Sequence, residues 1–274
     1  MCFRFPSALL AIAFCANAQT VLRVCADSEN LPFSNRRDEG FENRIAERLA
    51  QDIGARVEFV WWDGHKGLVK NTLNEGRCDV LMGVPATLES VAATAPYYRS
   101  TYVFVTRKGA PPIISFDDPR LREMRIGVHM TAGDYAPPAA ALGRRGLAAN
   151  VRGYRLFGMP GQADAPARLI RAVATGDVDA AIVWGPLAGY FAKHEQTPLE
   201  ITPVSPQSDA GVPFAYDISI GVRKENHSLR AALDSALHRN CAAVQAILRE
   251  YGVPQWNGGG TCEPSRRSSA ASSR

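Results

Sequence analysis

The sequence predicts an α/β protein of two lobes, each a mostly parallel sheet flanked by helices. Short buried strands alternate with amphipathic helices from Val21 onward, the pattern of a helix-covered parallel sheet. The phrase GRCDVLMGVP at Gly76 returns in outline as GDVDAAIVWGP at Gly176. Each places Gly three residues before Asp and runs a buried strand into Pro85 or Pro186. Such an echo suits two similar lobes whose strand ends open on a shared cleft. The length, 274 residues at 46% hydrophobic, lets both lobes bury a core.

In chain order, the first segment reads as a leader. Arg4 gives a positive start, Ala8 to Phe14 a short apolar run, and Ala16-Asn17-Ala18 a small-residue cleavage site. The run is too short to span a bilayer. Cys15 offers a lipidation site, but bulky Phe14 precedes it where a small residue is needed, so cleavage after Ala18 and a soluble exported chain are expected. Residues 19–104 then form the first part of lobe one, 105–215 lobe two and 216–256 the return to lobe one. The Gly/Ser/Arg-rich tail, 257–274, is expected to be disordered.

Within lobe one, VLRVCAD is a strand, and FENRIAERLAQDIGA a helix with Phe41, Ile45, Leu49 and Ile53 on one stripe, ended by Gly54. RVEFVWW is a strand, HKGLVKNTLNEG a helix and CDVLMGV a third strand. Lobe two is entered through TYVFVTRKG. It holds the strand RIGVHM, a Pro-interrupted segment from Gly133 to Gly146, and the strand VRGYRLF. The helix DAPARLIRAVATG follows, with Asp164 as N-cap and Gly176 as its stop. DAAIVWGPLAGY is a buried strand turning into a helix at Trp184. ITPVSPQSDAGVPF reads as a loop-rich return, YDISIGVRK as a strand, and HSLRAALDSALHRNCAAVQAILREYG as one long helix.

The net charge of +4 is mild and the basic residues are scattered, which gives nucleic-acid binding little support. Loss of Cys2 and Cys15 with the leader leaves Cys25, Cys78, Cys241 and Cys262. An even number in an oxidising compartment suggests two disulfides with three possible connectivities. The pairing adopted here is Cys25 with Cys78 and Cys241 with Cys262. No nucleophile elbow, phosphate loop or metal-ligand spacing is present, and the histidines at 65, 129, 194, 227 and 238 are isolated. No metal, cofactor or catalysis is therefore assigned. Aromatic residues remain: Phe33, Trp61, Trp62, Tyr97, Tyr98 and Trp184 fall at strand ends or just beyond them, where open α/β sheets bind their ligands.

Over Val21 to Pro254 the chain resembles the type 2 periplasmic solute-binding proteins, the polar amino-acid binders in particular, which implies their two-lobed fold with two hinge crossovers. Several phrases are more specific: RVCADSENLPFSN, GFENRIAERLA, WW, NTLNEGRCDVLMGVPA, PYYRSTYVFVTR, VWGPLAGYFA and YDISIGVRK. Together they resemble the J-type proteins of methanol oxidation, binding-protein-like accessory factors associated with PQQ-dependent alcohol dehydrogenases.

The departures from the amino-acid binders carry the functional expectation. Those proteins hold the ligand carboxylate with an arginine on the segment that here reads VPATLESVAA, where Ser90 is the nearest equivalent. They hold the ammonium with an aspartate at the end of the strand that here ends at Trp184. A buried zwitterion needs both charges paired, so amino-acid binding is not expected. The cleft is expected to be formed by Asn30, Phe33, Trp61, Trp62, Pro85, Ser90, Tyr97, Tyr98, Thr131 and Trp184. By resemblance the partner is a PQQ-dependent methanol (alcohol) dehydrogenase, to which PQQ and any lanthanide or calcium ion would belong. The alternative is an ABC-transporter binding protein for a small non-amino-acid solute.

Overall fold

The structure, a computed structural model, describes residues 20–62, 67–109, 111–131, 134–157 and 165–255. The leader, Asp164, Cys262 and the tail lie outside these residues. Strands form where β-branched and aromatic side chains run together. Thr20–Ala26 sends Leu22 and Val24 to one face and Cys25 to the other. It lies between Ala55–Trp61 and Val80–Pro85, parallel to both, and Ala215–Val222 closes this group antiparallel.

A second group repeats the plan. Ile126–Thr131 lies parallel between Val151–Arg155 and Ala180–Trp184, and Tyr98–Arg107 closes it antiparallel. The two closing strands pair with one another, Ala215–Ile218 against Thr101–Tyr98, so one continuous ladder runs through both groups. Each is a mostly parallel sheet, because its strands are joined through helices.

Helices cover both faces. Phe41–Asp52 buries Phe41, Ile45 and Leu49 against the first group, and Gly54 beyond it takes the left-handed φ of 72° expected of a stop. Ala167–Thr175 buries Leu169, Ile170 and Val173 against the second and stops at Gly176, φ 84°. Opposite faces are filled by Leu73, Leu81 and Val84 in the first group and by Phe104, Ile126 and Leu142 in the second.

Cys25 and Cys78 are disulfide-bonded with Cα atoms 5.5 Å apart, as expected, and both are buried. Cys241 is also disulfide-bonded. Three local expectations are corrected. HKGLVKNTLNEG keeps only a π-helical turn, Val69–Leu73, among the described residues. The loop-rich return contributes to a strand, Leu199–Pro203, which pairs with Arg107–Val103 at the edge of the second group. The long C-terminal helix is two, His227–Arg239 and Cys241–Glu250, broken at Asn240. There the Asn240 amide donates to Asp52 Oδ2 and Ala236 O, and its oxygen accepts from Arg48 Nε, so tertiary partners replace helix continuity.

Candidate functional site

Parallel strands end on the same side of a sheet, and here the ends of both groups meet. Cys25, Ala26 and Asp27 leave the first strand, and Met82 to Pro85 end the Val80–Pro85 strand. From the second group come Leu156 and Phe157, beyond Val151–Arg155, and Trp184. With Tyr98 and Tyr102 on one long strand and Tyr216 and Ile218 on the other, they enclose a cavity of about 450 Å³. That is the size of a small-ligand site, roughly 300–1,000 Å³.

Phe33 and Asn30 reach the cavity from the loop after the first strand. Two asparagines set that loop. Asn43 Oδ1 accepts from the Gly40 and Asn35 N–H groups, and Asn35 Oδ1 accepts from those of Arg37 and Glu39. The Phe33 ring rests on Phe41, with centroids 5.3 Å apart. The opposite wall is an aromatic cluster. Trp184, half-buried, meets Tyr102 edge-on at 5.5 Å and Tyr216 at 5.8 Å. The Trp184 backbone is extended, φ −60° and ψ 128°, and immediately precedes the helix Gly185–His194. That helix packs against the turn after Cys241–Glu250, since a Cβ on Gly189 would lie 1.9 Å from Gly252 O.

On the first-group side the cavity holds Glu42, in the first turn of the Phe41–Asp52 helix. Its carboxyl lies over Gly83, where a Cβ would come within 2.2 Å of Oε1, and the φ of 69° at Gly83 is one that favours glycine. Glu42 has no ion-pair or side-chain hydrogen-bond partner among the described residues, and burial pushes its pKa up to about 8. Burial likewise raises Tyr98 and Tyr102, leaving their phenols neutral. No arginine, lysine or histidine is among the described residues that line the cavity.

Of the residues expected at the cleft, Asn30, Phe33, Pro85, Tyr98 and Trp184 line this cavity. Thr131 lines a smaller adjoining one of about 230 Å³, with His129 and Tyr135, that shares Tyr102, Leu156, Trp184 and Leu187 with the first. The rest lie elsewhere. Tyr97 is fully buried against Tyr98, 5.0 Å between centroids, because successive residues of an extended chain take opposite faces and its face is core. Trp61, at the end of an edge strand, stacks on Phe59 at 5.2 Å with the Arg36 guanidinium over it. Trp62 carries the Arg77 guanidinium on its ring, and its indole N–H is buried without a hydrogen-bond partner. Ser90 is exposed in a turn. The sequence reading missed Glu42, Tyr102 and Tyr216. The tyrosines lie inside expected strands, and Glu42 stands beside an apolar stripe, where a charged residue reads as solvent-facing.

Comparison with known proteins agrees with this architecture. The model of the bacterial extracellular solute-binding proteins, family 3, matches residues 22–253. Protein MoxJ of Methylorubrum extorquens is 37% identical over 248 residues, covering 85% of this chain and 81% of that protein. The crystal structure of MxaJ from Methlophaga aminisulfidivorans MPT superposes with a TM-score of 0.76 at 29% identity, covering 86% of this chain and all (100%) of that one. That of the periplasmic binding protein XoxJ from Methylobacterium extorquens AM1 gives 0.71 at 33% identity, covering 86% and 100%. The chain belongs to the bacterial extracellular solute-binding proteins, family 3, and within that family it is similar to MxaJ and XoxJ.

Proposed function

We propose that this protein is a periplasmic, solute-binding-protein-like accessory factor for a PQQ-dependent methanol (alcohol) dehydrogenase. It acts by protein–protein contact in maturation or activation of that enzyme, without catalysis of its own, after export and removal of residues 1–18. The similarity to MoxJ, MxaJ and XoxJ supports the system, and one observation carries the mode of action. Trp184 stands at the strand end where amino-acid binders place a charge, and it joins Tyr102 and Tyr216 in an aromatic wall. Indoles and phenols anchor protein interfaces, where truncating one costs about 2 kcal/mol or more.

The test is capture of periplasmic proteins on the mature chain. A quinoprotein dehydrogenase should be retained, and Trp184→Ala should weaken its capture about thirtyfold or more while leaving the melting temperature close to that of the parent. Normal capture by a Trp184→Ala protein that has merely become less stable would reject the aromatic wall as the contact. The alternative is a transport binder for a small non-amino-acid solute. The cavity of about 450 Å³ favours it, and retention of an inner-membrane permease instead of a dehydrogenase would establish it.

A further inference from the structure

An aromatic-walled cavity does not need a carboxyl group to hold a protein partner or an apolar ligand. Glu42 is therefore the unexplained group at this site. It is enclosed by Phe33 backbone, Gly83, Tyr97 and Tyr98, and no cation, amide or hydroxyl among the described residues is paired with it. A desolvated carboxyl without a partner is costly unless something completes it. Whatever does so enters from the cavity, because the other sides are protein.

Two features of the walls define its chemistry. The described lining residues hold carboxylates at Asp27 and Glu42 and no positive charge. The remaining lining is largely aromatic and aliphatic side chains, with Phe33, Tyr98, Tyr102, Trp184 and Tyr216 among them. Ring faces attract cations and reject anions, and they do so most strongly away from water. A carboxylate in a cavity that indole and phenol rings also line suits an alkylated ammonium group. A zwitterion is disfavoured, since its carboxylate meets no cation among the described lining residues.

We infer that the cavity is a binding site for a small organic cation, an amine or quaternary ammonium compound with apolar substituents, with Glu42 as its charge partner and the Trp184–Tyr102–Tyr216 cluster as the facing wall. In the unliganded protein the Glu42 carboxyl holds a proton at neutral pH. A bound cation takes its place opposite the carboxylate, and that proton leaves to solvent, so binding and proton release are coupled one to one. The groups around Glu42 leave this coupling undisturbed. Tyr97 and Tyr98 on the neighbouring strand are raised by burial and stay neutral, as does Tyr102 across the cavity. Asp27, in the loop after the first strand, is the one other carboxylate among the described lining residues, and its Oδ1 accepts from the Glu29 N–H.

The inference does not depend on the identity of any protein partner, and its test uses the mature protein alone. Calorimetric titration with choline is compared with titration by 3,3-dimethylbutan-1-ol, its neutral isostere, in the parent and in Glu42→Gln. Choline should bind the parent at least tenfold more tightly than the alcohol. Its affinity should rise about tenfold per pH unit from pH 6 to 7. Glu42→Gln should lose the preference and the pH dependence together, with a melting temperature no lower than that of the parent. Glu47→Gln makes the same change at an exposed carboxyl of the same helix, outside the cavity, and should retain the preference, which guards against a general effect of the substitution on the helix. Equal affinity for choline and the alcohol, no binding of either, or a preference unchanged in Glu42→Gln would each overturn the inference.

Discussion

Two desolvated residues, half-buried Glu42 and buried His129, titrate in opposite senses. Burial raises Glu42 from 4.5 to about 8, and it lowers His129 from 6.5 to about 4, where the ring Nε2 lies 3.3 Å from Pro166 O. The neutral imidazole therefore carries its proton on Nε2 and donates it to that carbonyl. The stability conferred by protonated Glu42 is complete below pH 4.5 and is lost as pH rises through about 8. That conferred by neutral His129 is complete above 6.5 and is lost as pH falls through about 4. Between pH 4.5 and 6.5 the two slopes oppose one another; from 6.5 to 8 only Glu42 acts. The parent should thus lose about 2 kcal/mol of unfolding free energy between pH 6.5 and 8, and Glu42→Gln should not. Urea unfolding across that interval, in buffer free of organic cations, checks both curves.

At the scale of elements, the two strand groups share more than a phrase. Asp79 accepts from the backbone N–H and guanidinium of Arg23, and Asp179 accepts in the same way from Arg125. Arg223, just beyond the end of one closing strand, donates to the carbonyls of Leu73 and Cys78. Arg107, at the end of the other, donates to those of Val173 and Val178. Each group thus ties a helix end, a strand start and a closing strand with one carboxylate and two arginines. Asp79 is less exposed than Asp179, 17% against 28%, and has Arg223 as a second cation at 3.5 Å. Asp79→Ala should therefore cost about 2–3 kcal/mol and Asp179→Ala about 1 kcal/mol, because a half-solvated pair is worth less. Chemical denaturation of the two variants compares them directly. The Gly-to-Asp phrase was legible in the sequence, whereas its arginine partners lie too far along the chain to be matched to it. The break at Asn240 was not legible, since apolar periodicity continues across it.

For the whole molecule, the expected consequence of the described lining, which holds no cation, is selectivity against zwitterions. Lobe closure in binding proteins of this architecture is driven by contacts that the ligand makes only in the closed state. The carboxylate of an amino acid meets no cation among the described lining residues, and leaving it unpaired costs several kcal/mol, roughly. The common amino acids should accordingly give no thermal shift. A ligand at 100 times its dissociation constant would stabilise the fold by about 2.7 kcal/mol, well within detection. A dose-dependent shift with any one of them would overturn the reading of Trp184 as a replaced anchor.

The sequence by itself determined the alternation of strands and helices, the stops at Gly54 and Gly176, and the turn into a helix at Trp184. These are local properties, set by apolar periodicity and by backbone conformations that glycine alone adopts freely. It also placed aromatic residues near strand ends, but periodicity does not say which ends share a cavity. Tyr97 and Tyr98 are neighbours in the chain, yet only Tyr98 lines the cavity; Trp61 falls on an edge strand and packs beside Phe59 instead. The state of Glu42 is further still from the sequence. Its lost hydration is the joint effect of Gly83, Tyr97 and Tyr98, which only the folded sheet brings around the first turn of a distant helix. Desolvation is a property of an enclosure, and an enclosure exists only once the chain has closed around it.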